Sequence, residues 1–212
     1  MRQLTHNYNI FNYMDIVSSI NKITIITIIS SLLLCTHPCF AIKSVQFTEK
    51  NGEINFVLYT TLHNPHGTVH SFTGNISWNE EKGISSATGI LIIPVSSFDT
   101  KNKSRDKKMY EYCMETTKYP TITFTLASVG NIPLTLHQNS TYSTTLFGKL
   151  TIKHIALPVQ LPVQFTLKEK HLSVQGSYTL NWKDYNVKDP SFLLIQLSKN
   201  MKLLWYITVP FD

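Results

Sequence analysis

The sequence has few of the groups on which most enzymes depend. Its 212 residues include only 13 carboxylates, 8 glycines and 3 cysteines. It contains no glycine-rich phosphate loop, no nucleophile-elbow pattern and no Cys-x-x-Cys pair. These absences argue against nucleotide-dependent, serine-hydrolase and thiol-redox chemistry. We therefore predict that the protein is not an enzyme and requires no cofactor.

Charge is also sparse, since charged residues make up 15% of the chain and the net charge is +6. The one basic cluster, positions 101–108, contains Asp106 and has no aromatic residue between its lysines. A surface that stacks nucleic-acid bases needs such aromatic residues, so we interpret the cluster as a solvated corner and predict no nucleic-acid partner. A hydrophobic content of 42% excludes a disordered chain.

The N-terminus is typical of a secretory signal. Residues 23–34 are almost wholly apolar, Lys22 precedes them, and Cys39-Phe40-Ala41 places small residues where cleavage requires them. We predict a signal helix within a signal peptide of residues 1–41, with Met14 as an alternative start, and one domain at residues 42–212. An uncleaved anchor is the alternative, and it would be the only membrane contact. A lipoprotein at Cys35 is disfavoured because bulky Leu34 precedes it.

Cleavage after Ala41 would leave Cys113 as the only cysteine, so no intramolecular disulfide could form. Cys113 lies in a short stretch with a helical period, beside Met114. We predict that it is a buried packing residue and not a nucleophile.

The body of the chain alternates apolar and polar residues with a period of two, which is typical of β-strands with one buried face. The clearest run is Val159, Leu161, Val163, Phe165 and Leu167. Short polar turns between the runs favour antiparallel pairing. About eight such strands fit either a sandwich or a closed barrel, whose interior is either filled by side chains or leaves room for a slender ligand.

Only residues 90–124 depart from this period. An apolar run ends at Pro94, a charged corner follows, and Met109, Tyr110, Cys113 and Met114 recur at helical spacing before Thr121 restarts the alternation. The pattern predicts a strand, a polar corner, one short helix and a strand.

Three histidines, His63, His66 and His70, lie close together around a Pro-Gly turn. Such a spacing can hold zinc if a fourth ligand is present, but His70 alternates with Phe72 as a strand residue would. We treat the three as weak candidate metal ligands and predict no metal.

Three motifs follow one another along the chain. The first comprises Val95-Ser96-Ser97-Phe98-Asp99-Thr100, Arg105-Asp106-Lys107-Lys108-Met109 and Lys118-Tyr119-Pro120-Thr121-Ile122-Thr123-Phe124. The second is Gly148-Lys149-Leu150-Thr151-Ile152 with Pro158-Val159. The third is Tyr178-Thr179-Leu180 with Asp184-Tyr185, Val187 and Pro190-Ser191-Phe192-Leu193. In this order the three motifs resemble the YceI-like family of secreted lipid-binding barrels.

The resemblance implies an all-β fold, namely an eight-stranded antiparallel lipocalin-like barrel with one short α-helix. It also implies a periplasmic or secreted location and no catalytic machinery. Some members hold a polyisoprenoid chain inside the barrel, whereas others have no settled ligand.

Two positions depart from the family pattern. His154 stands where the family usually has glycine in a turn, which predicts a different turn or local strain because glycine accepts positive φ most readily. Asn186 stands where the family often has glycine, and Asn is the next-best residue for that backbone geometry.

We therefore predict a protein that binds, and transports or stores, an apolar lipid chain of the polyisoprenoid or quinone-like class in the cell envelope. A lipid would be the bound partner in place of a cofactor, and a homodimer is compatible with the sequence. The alternative is an envelope or secreted interaction protein with a filled barrel. The predicted lining residues are Phe72, Trp78, Phe98, Phe124, Leu146, Phe165 and Tyr178.

Overall fold

A computed structural model of the protein describes residues 41–191 and 194–211. The predicted signal segment before Ala41 therefore lies outside the described residues, as do Phe192 and Leu193 of the third motif. No helix within the described ranges has both the length and the apolar character needed to cross a membrane.

The described residues form one antiparallel sheet of eleven strands and not the eight that we predicted. In order across the sheet the strands are β1-β4-β5-β7-β8-β9-β10-β11-β2-β3-β6. Their bounds are β1 Ile42–Thr48, β2 Gly52–Thr60, β3 His66–Val69, β4 Thr73–Asn79, β5 Thr88–Pro94, β6 Phe98–Asp99, β7 Thr121–Val129, β8 Thr141–Ile152, β9 Ile155–Lys168, β10 His171–Asn181 and β11 Leu197–Pro210.

The strand count is higher because short interruptions divide the chain. A 3₁₀ turn at Val95–Ser97 separates β5 from the two-residue strand β6. Strand β5 pairs with β4 and β7, whereas β6 pairs with β3. Pro94 ends β5 and has no N–H to continue a ladder. A second 3₁₀ turn, Glu49–Asn51, separates β1 from β2 in the same way.

The ladder has two ends, β1 and β6, so the sheet forms a half-barrel and not the fully closed cylinder that we expected. One edge is blunted because β6 is only two residues long, and a very short edge strand offers little backbone to another chain. The prediction of an all-β antiparallel fold with one short helix is confirmed.

The predicted alternation is confirmed in the longest strands. In β9 the odd-numbered residues Val159, Val163 and Phe165 are buried, while Gln160 and Gln164 between them are exposed. Strand β8 pairs with β9 along its whole length, with Gly148 opposite Val159. Because side chains alternate between the two faces of a strand, this register places the apolar sets of both strands on one interior face.

The predicted helix lies where its period indicated, but it has two parts. Helix α1, Lys103–Lys108, begins at Asn102, whose side chain accepts a hydrogen bond from Arg105 N (3.0 Å). It continues as one π-helical turn, Met109–Cys113, in which Met114 N donates to Met109 O (2.9 Å). The wider turn places Cys113 and Met114 together on the buried side.

Helix α1, the β2–β3 loop and the β8–β9 turn share one end of the half-barrel, which we call the helix end. The opposite end, the far end, carries the β9–β10 turn and the loop of residues 130–140. The far end is filled by a large core cluster that includes Trp78, Leu126, Phe165, Leu172 and Val209.

The β8–β9 turn shows how the chain accommodates the departure at His154. The positive φ falls on the preceding residue, Lys153 (φ 56°), and not on His154, which agrees with the first of our two alternatives, a different turn, rather than with strain at His154. Asn186 adopts the left-handed conformation (φ 55°), as its residue type indicated.

Candidate functional site

A cavity of about 500 Å³ opens at the helix end, and this is a volume typical of small-molecule sites. Its walls are almost wholly apolar. They come from strands β2, β5, β7, β8, β10 and β11 and from the helical segment that covers this end. The apolar lining includes Ile54, Phe56, Leu58, Val69, Ile93, Phe98, Met109, Cys113, Met114, Ile122, Leu150, Ile152, Leu180, Met201 and Leu203.

Strands β9 and β10 do not remain paired toward this end. Their pairing runs from the far end only as far as Val163 opposite Gly176. The next residue of β9 toward the helix end is Pro162, which has no N–H to donate. Strand β10 continues to Asn181 without a ladder to β9, and the short helical segment covers the cavity at this end without filling it.

The helical segment contributes three adaptable side chains to the wall, Met109, Cys113 and Met114. Cys113 is buried, as predicted, and burial raises the pKa of its thiol to about 11. At neutral pH the side chain is thus a protonated, polarizable apolar group. Such side chains fit irregular apolar ligands and do not serve as nucleophiles.

The mouth of the cavity is polar and cationic. Arg105, Lys108 and Lys188 line it, and no carboxylate belongs to its described lining. Arg105 is held in place because its guanidinium donates to the hydroxyl (2.8 Å) and carbonyl (2.6 Å) of Thr100. Lys108 Nζ donates to Pro190 O (2.7 Å), which joins α1 to the segment leading into β11.

A partly buried ion pair holds the end of the helical segment. Lys153 in the β8–β9 turn is almost completely buried, and its Nζ donates to the Glu115 carboxylate and to Asn186 O (3.1 Å). Lys188 reaches the other carboxylate oxygen of Glu115 (3.3 Å). The hydrogen bond from Lys153, followed by that from Lys188, lowers the pKa of Glu115. Glu115, two residues beyond the π-helical turn, therefore connects the end of the helical segment to the β8–β9 turn and to the segment that follows Asn186.

The seven residues that we predicted as lining are spread along the interior. Phe98 lies on the cavity wall and packs against Phe56, with ring centroids 5.4 Å apart. The described lining of the 500 Å³ cavity does not include the other six. Trp78 and Phe165 belong to the filled far end with Leu146, Phe72 is fully buried in a third cluster, Tyr178 packs on the helix-end cluster, and Phe124 touches both large clusters.

Sequence reasoning missed the residues nearest the helix, above all Ile122, Leu150 and Leu180. Each has the inward phase of its strand, and each stands at the strand end that meets α1. The alternation together with the predicted position of the helix indicates these residues, whereas aromatic content alone does not.

The histidine cluster does not assemble a metal site in the described part of the chain. His70 Nε2 lies 3.0 Å from an Asp99 carboxylate oxygen, and this contact lowers the pKa of Asp99. Within residues 41–191 and 194–211, no three His, Cys, Asp or Glu side chains lie close enough together to hold a metal ion.

A larger concave region of about 860 Å³ lies against the outer face of β2, β9, β10 and β11. Outward-facing polar residues such as Asn55, Gln164 and Gln175 contribute much of its wall. We place the candidate site in the smaller cavity because its walls are apolar and because it extends into the interior.

Comparison with known proteins supports the fold. A polyisoprenoid-binding domain from Saccharophagus degradans superposes with a TM-score of 0.63 at 14% identity, covering 82% of this chain and 99% of that one. BcnA from Burkholderia cenocepacia gives 0.63 at 19% identity, with coverage of 75% and 96%. The YceI protein of Campylobacter jejuni gives 0.58 at 16% identity, with coverage of 72% and 88%.

No protein of the curated collection that was compared matches the sequence. The family comparison is decisive, because the YceI-like domain matches residues 45–208, well over half of the chain. This confirms the resemblance drawn from the three motifs. The chain belongs to the YceI-like domain family.

Proposed function

We propose that the protein binds an apolar lipid chain, of the polyisoprenoid or quinone-like class, in the cavity at the helix end. The observation that carries the proposal is the apolar cavity of about 500 Å³ beside a filled far end. The structurally similar domain from Saccharophagus degradans is described as polyisoprenoid-binding, which supports the same ligand class here.

Desolvation supplies the binding free energy in this mechanism. Each methylene transferred from water to an apolar wall contributes about 0.8 kcal/mol. A prenyl tail of several units could therefore bind tightly through shape and apolar area, with few polar contacts. The protein acts as a carrier or store of the chain and not as an enzyme, in keeping with Cys113 remaining a protonated thiol.

Adjacent residues of β11 provide a matched test. Leu203 lines the cavity, whereas its neighbour Leu204 lines the outer concave region. We expect Leu203→Trp to fill the cavity and to weaken binding of a fluorescent prenyl probe at least about tenfold. Leu204→Trp should leave probe affinity unchanged. Equal affinity of both variants and the wild type would remove this cavity as the binding site.

A second measurement tests whether a lipid is carried at all. The protein is purified, extracted with organic solvent, and the extract is analysed by mass spectrometry. We expect an apolar lipid in stoichiometric amount from the wild type and from Leu204→Trp, and much less from Leu203→Trp. If the wild type yields no lipid and binds no probe, the alternative function, an interaction protein without cargo, is favoured.

We also propose that the protein acts in the periplasm or outside the cell, after cleavage behind Ala41. N-terminal sequencing of the exported protein should then begin at Ile42. A sequence that begins at Met1 or Met14 would favour the uncleaved anchor.

A further inference from the structure

Exposed apolar side chains gather at the rim of the cavity. Leu62 is 67% exposed, Leu194 is 85% exposed and Ile195 is 47% exposed. The β2–β3 loop and the segment before β11 are joined, since Thr61 Oγ1 donates to Leu194 O (2.7 Å) and Thr61 N donates to Gln196 O (3.2 Å). We call Leu62, Leu194 and Ile195 the apolar rim. Ile195 itself also lines the cavity.

Cations lie on α1, at the same end of the half-barrel as this rim. Positions 101–113 hold five cationic residues and two carboxylates, and one of those carboxylates, Asp106, is buried and accepts from Thr100 N (3.0 Å). Lys108 reaches the segment that carries Leu194 through its bond to Pro190 O. Lys103 and Lys107 are exposed one turn apart on α1, without an ion pair to any described residue.

We propose that the apolar rim and the α1 cations dock the helix end on the surface of an anionic lipid bilayer. Apolar side chains flanked by lysines are the combination that inserts at the headgroup boundary of such membranes. A second copy of this chain fits less well, because a two-fold interface would bring the cationic α1 segments of both copies together. Docking there would let an apolar chain pass between the bilayer and the cavity without crossing water. The purpose of the docking, though not the docking itself, rests on the proposed function.

Vesicle sedimentation tests the docking with matched variants of the full chain. We expect binding to mixed phosphatidylcholine–phosphatidylglycerol vesicles that weakens with added salt, and weaker binding to phosphatidylcholine alone. The double variant L62D/L194D should bind the mixed vesicles at least about tenfold less. The double variant K103E/K107E should lose at least about twenty-five-fold, at about fivefold for each cation removed, because the two added carboxylates are also repelled by the anionic surface.

The controls lie at the far end of the half-barrel. Leu134 is 63% exposed in the loop of residues 130–140, and Lys168 is exposed at the end of β9. L134D and K168E change the same residue types at the end away from the proposed contact. They should therefore bind mixed vesicles like the wild type. If they weaken binding as much as the rim and α1 variants, or if none of the variants weakens it, the proposal is overturned.

Hydrogen exchange on vesicles locates the contact and separates it from any contribution of residues 1–40. We expect added protection in peptides covering 60–66 and 188–197 and none in 130–140. The L62D/L194D variant should still bind the prenyl probe, so loss of probe binding in Leu203→Trp and loss of vesicle binding here are independent results. If the apolar rim becomes protected in the absence of vesicles when the protein concentration is raised, the rim is a dimer contact and the proposal is overturned.

Discussion

Truncation of Phe165 measures how differently the two ends of the half-barrel are packed. Phe165 is 2% exposed and lies in the filled cluster of the far end with Trp78, Leu172 and Val209. Replacing it with Ala leaves a void in a close-packed core, which costs about 3–5 kcal/mol of the free energy of unfolding. Against a typical total of roughly 5–15 kcal/mol, the variant should fold at low temperature but lose much of its stability.

The comparison residue is Leu203, which is half-buried and already borders empty space. Leu203→Ala enlarges an existing cavity and creates no new void, so we expect a cost of only about 1–2 kcal/mol. Urea denaturation gives both costs from the midpoints, provided that the slopes agree. Prenyl-probe affinity should be unchanged in Phe165→Ala and reduced in Leu203→Ala.

Two results would refute this reasoning. Equal stability costs for the two variants would mean that the far end is no better packed than the helix end. Loss of probe binding by folded Phe165→Ala would mean that the prenyl tail of the ligand reaches the far end, as the seven predicted lining residues imply. Phe165→Leu, which leaves a smaller void, should cost less than Phe165→Ala and serves as the internal control.

Three further predictions concern single contacts. A methyl group at Gly67 would lie 2.0 Å from the Phe56 ring, so Gly67→Ala should displace that ring and cost about 1–3 kcal/mol in urea denaturation. Hydrogen bonding to Lys153 lowers the folded-state pKa of Glu115 below its ordinary value of 4.5. The ionised Glu115 therefore stabilises the fold fully above pH 4.5, and this stabilisation is lost as the pH falls through the folded-state pKa. Glu115→Gln should flatten this acid dependence of the melting temperature. Cys113, with its raised pKa, should react with iodoacetamide far more slowly in the folded protein than in urea, and more slowly still with a prenyl ligand bound, as peptide mass spectrometry can measure.

The sequence predicted which face of a strand a residue occupies better than it predicted how far along the barrel axis the residue lies. Alternation in β9 identified Val159, Val163 and Phe165 as inward residues, and the structure buries all three. A period of two, however, carries no information about depth along the barrel axis. Depth depends on register between strands that are distant in sequence, such as Gly176 of β10 opposite Trp205 of β11. Only Phe98 of the predicted lining set therefore lies on the wall of the cavity.

The short breaks that divide the sheet into eleven strands could not be predicted from the sequence, for a similar reason. Strand β6 consists of two residues, and it exists only because Phe98 and Asp99 meet Val69 and Thr68 across the half-barrel. No local pattern of two residues can indicate such a pairing. The short helix, by contrast, has a local period of its own, so its position could be predicted although its π-helical turn could not.

The boundary between the two ends of the interior coincides with one feature of β9. Pairing of β9 with β8 runs unbroken through both Pro158 and Pro162, so the donors that these prolines lack are missing on the side of β10. The β9–β10 ladder correspondingly ends at Val163, beside Pro162. Beyond that point the strands need not stay within hydrogen-bonding distance. On β9 the same point separates Val163, which packs in the far-end cluster, from Val159, which packs in the cluster at the helix end. Two prolines in a strand that is otherwise central to the sheet thus mark the boundary between the filled far end and the end that holds the cavity.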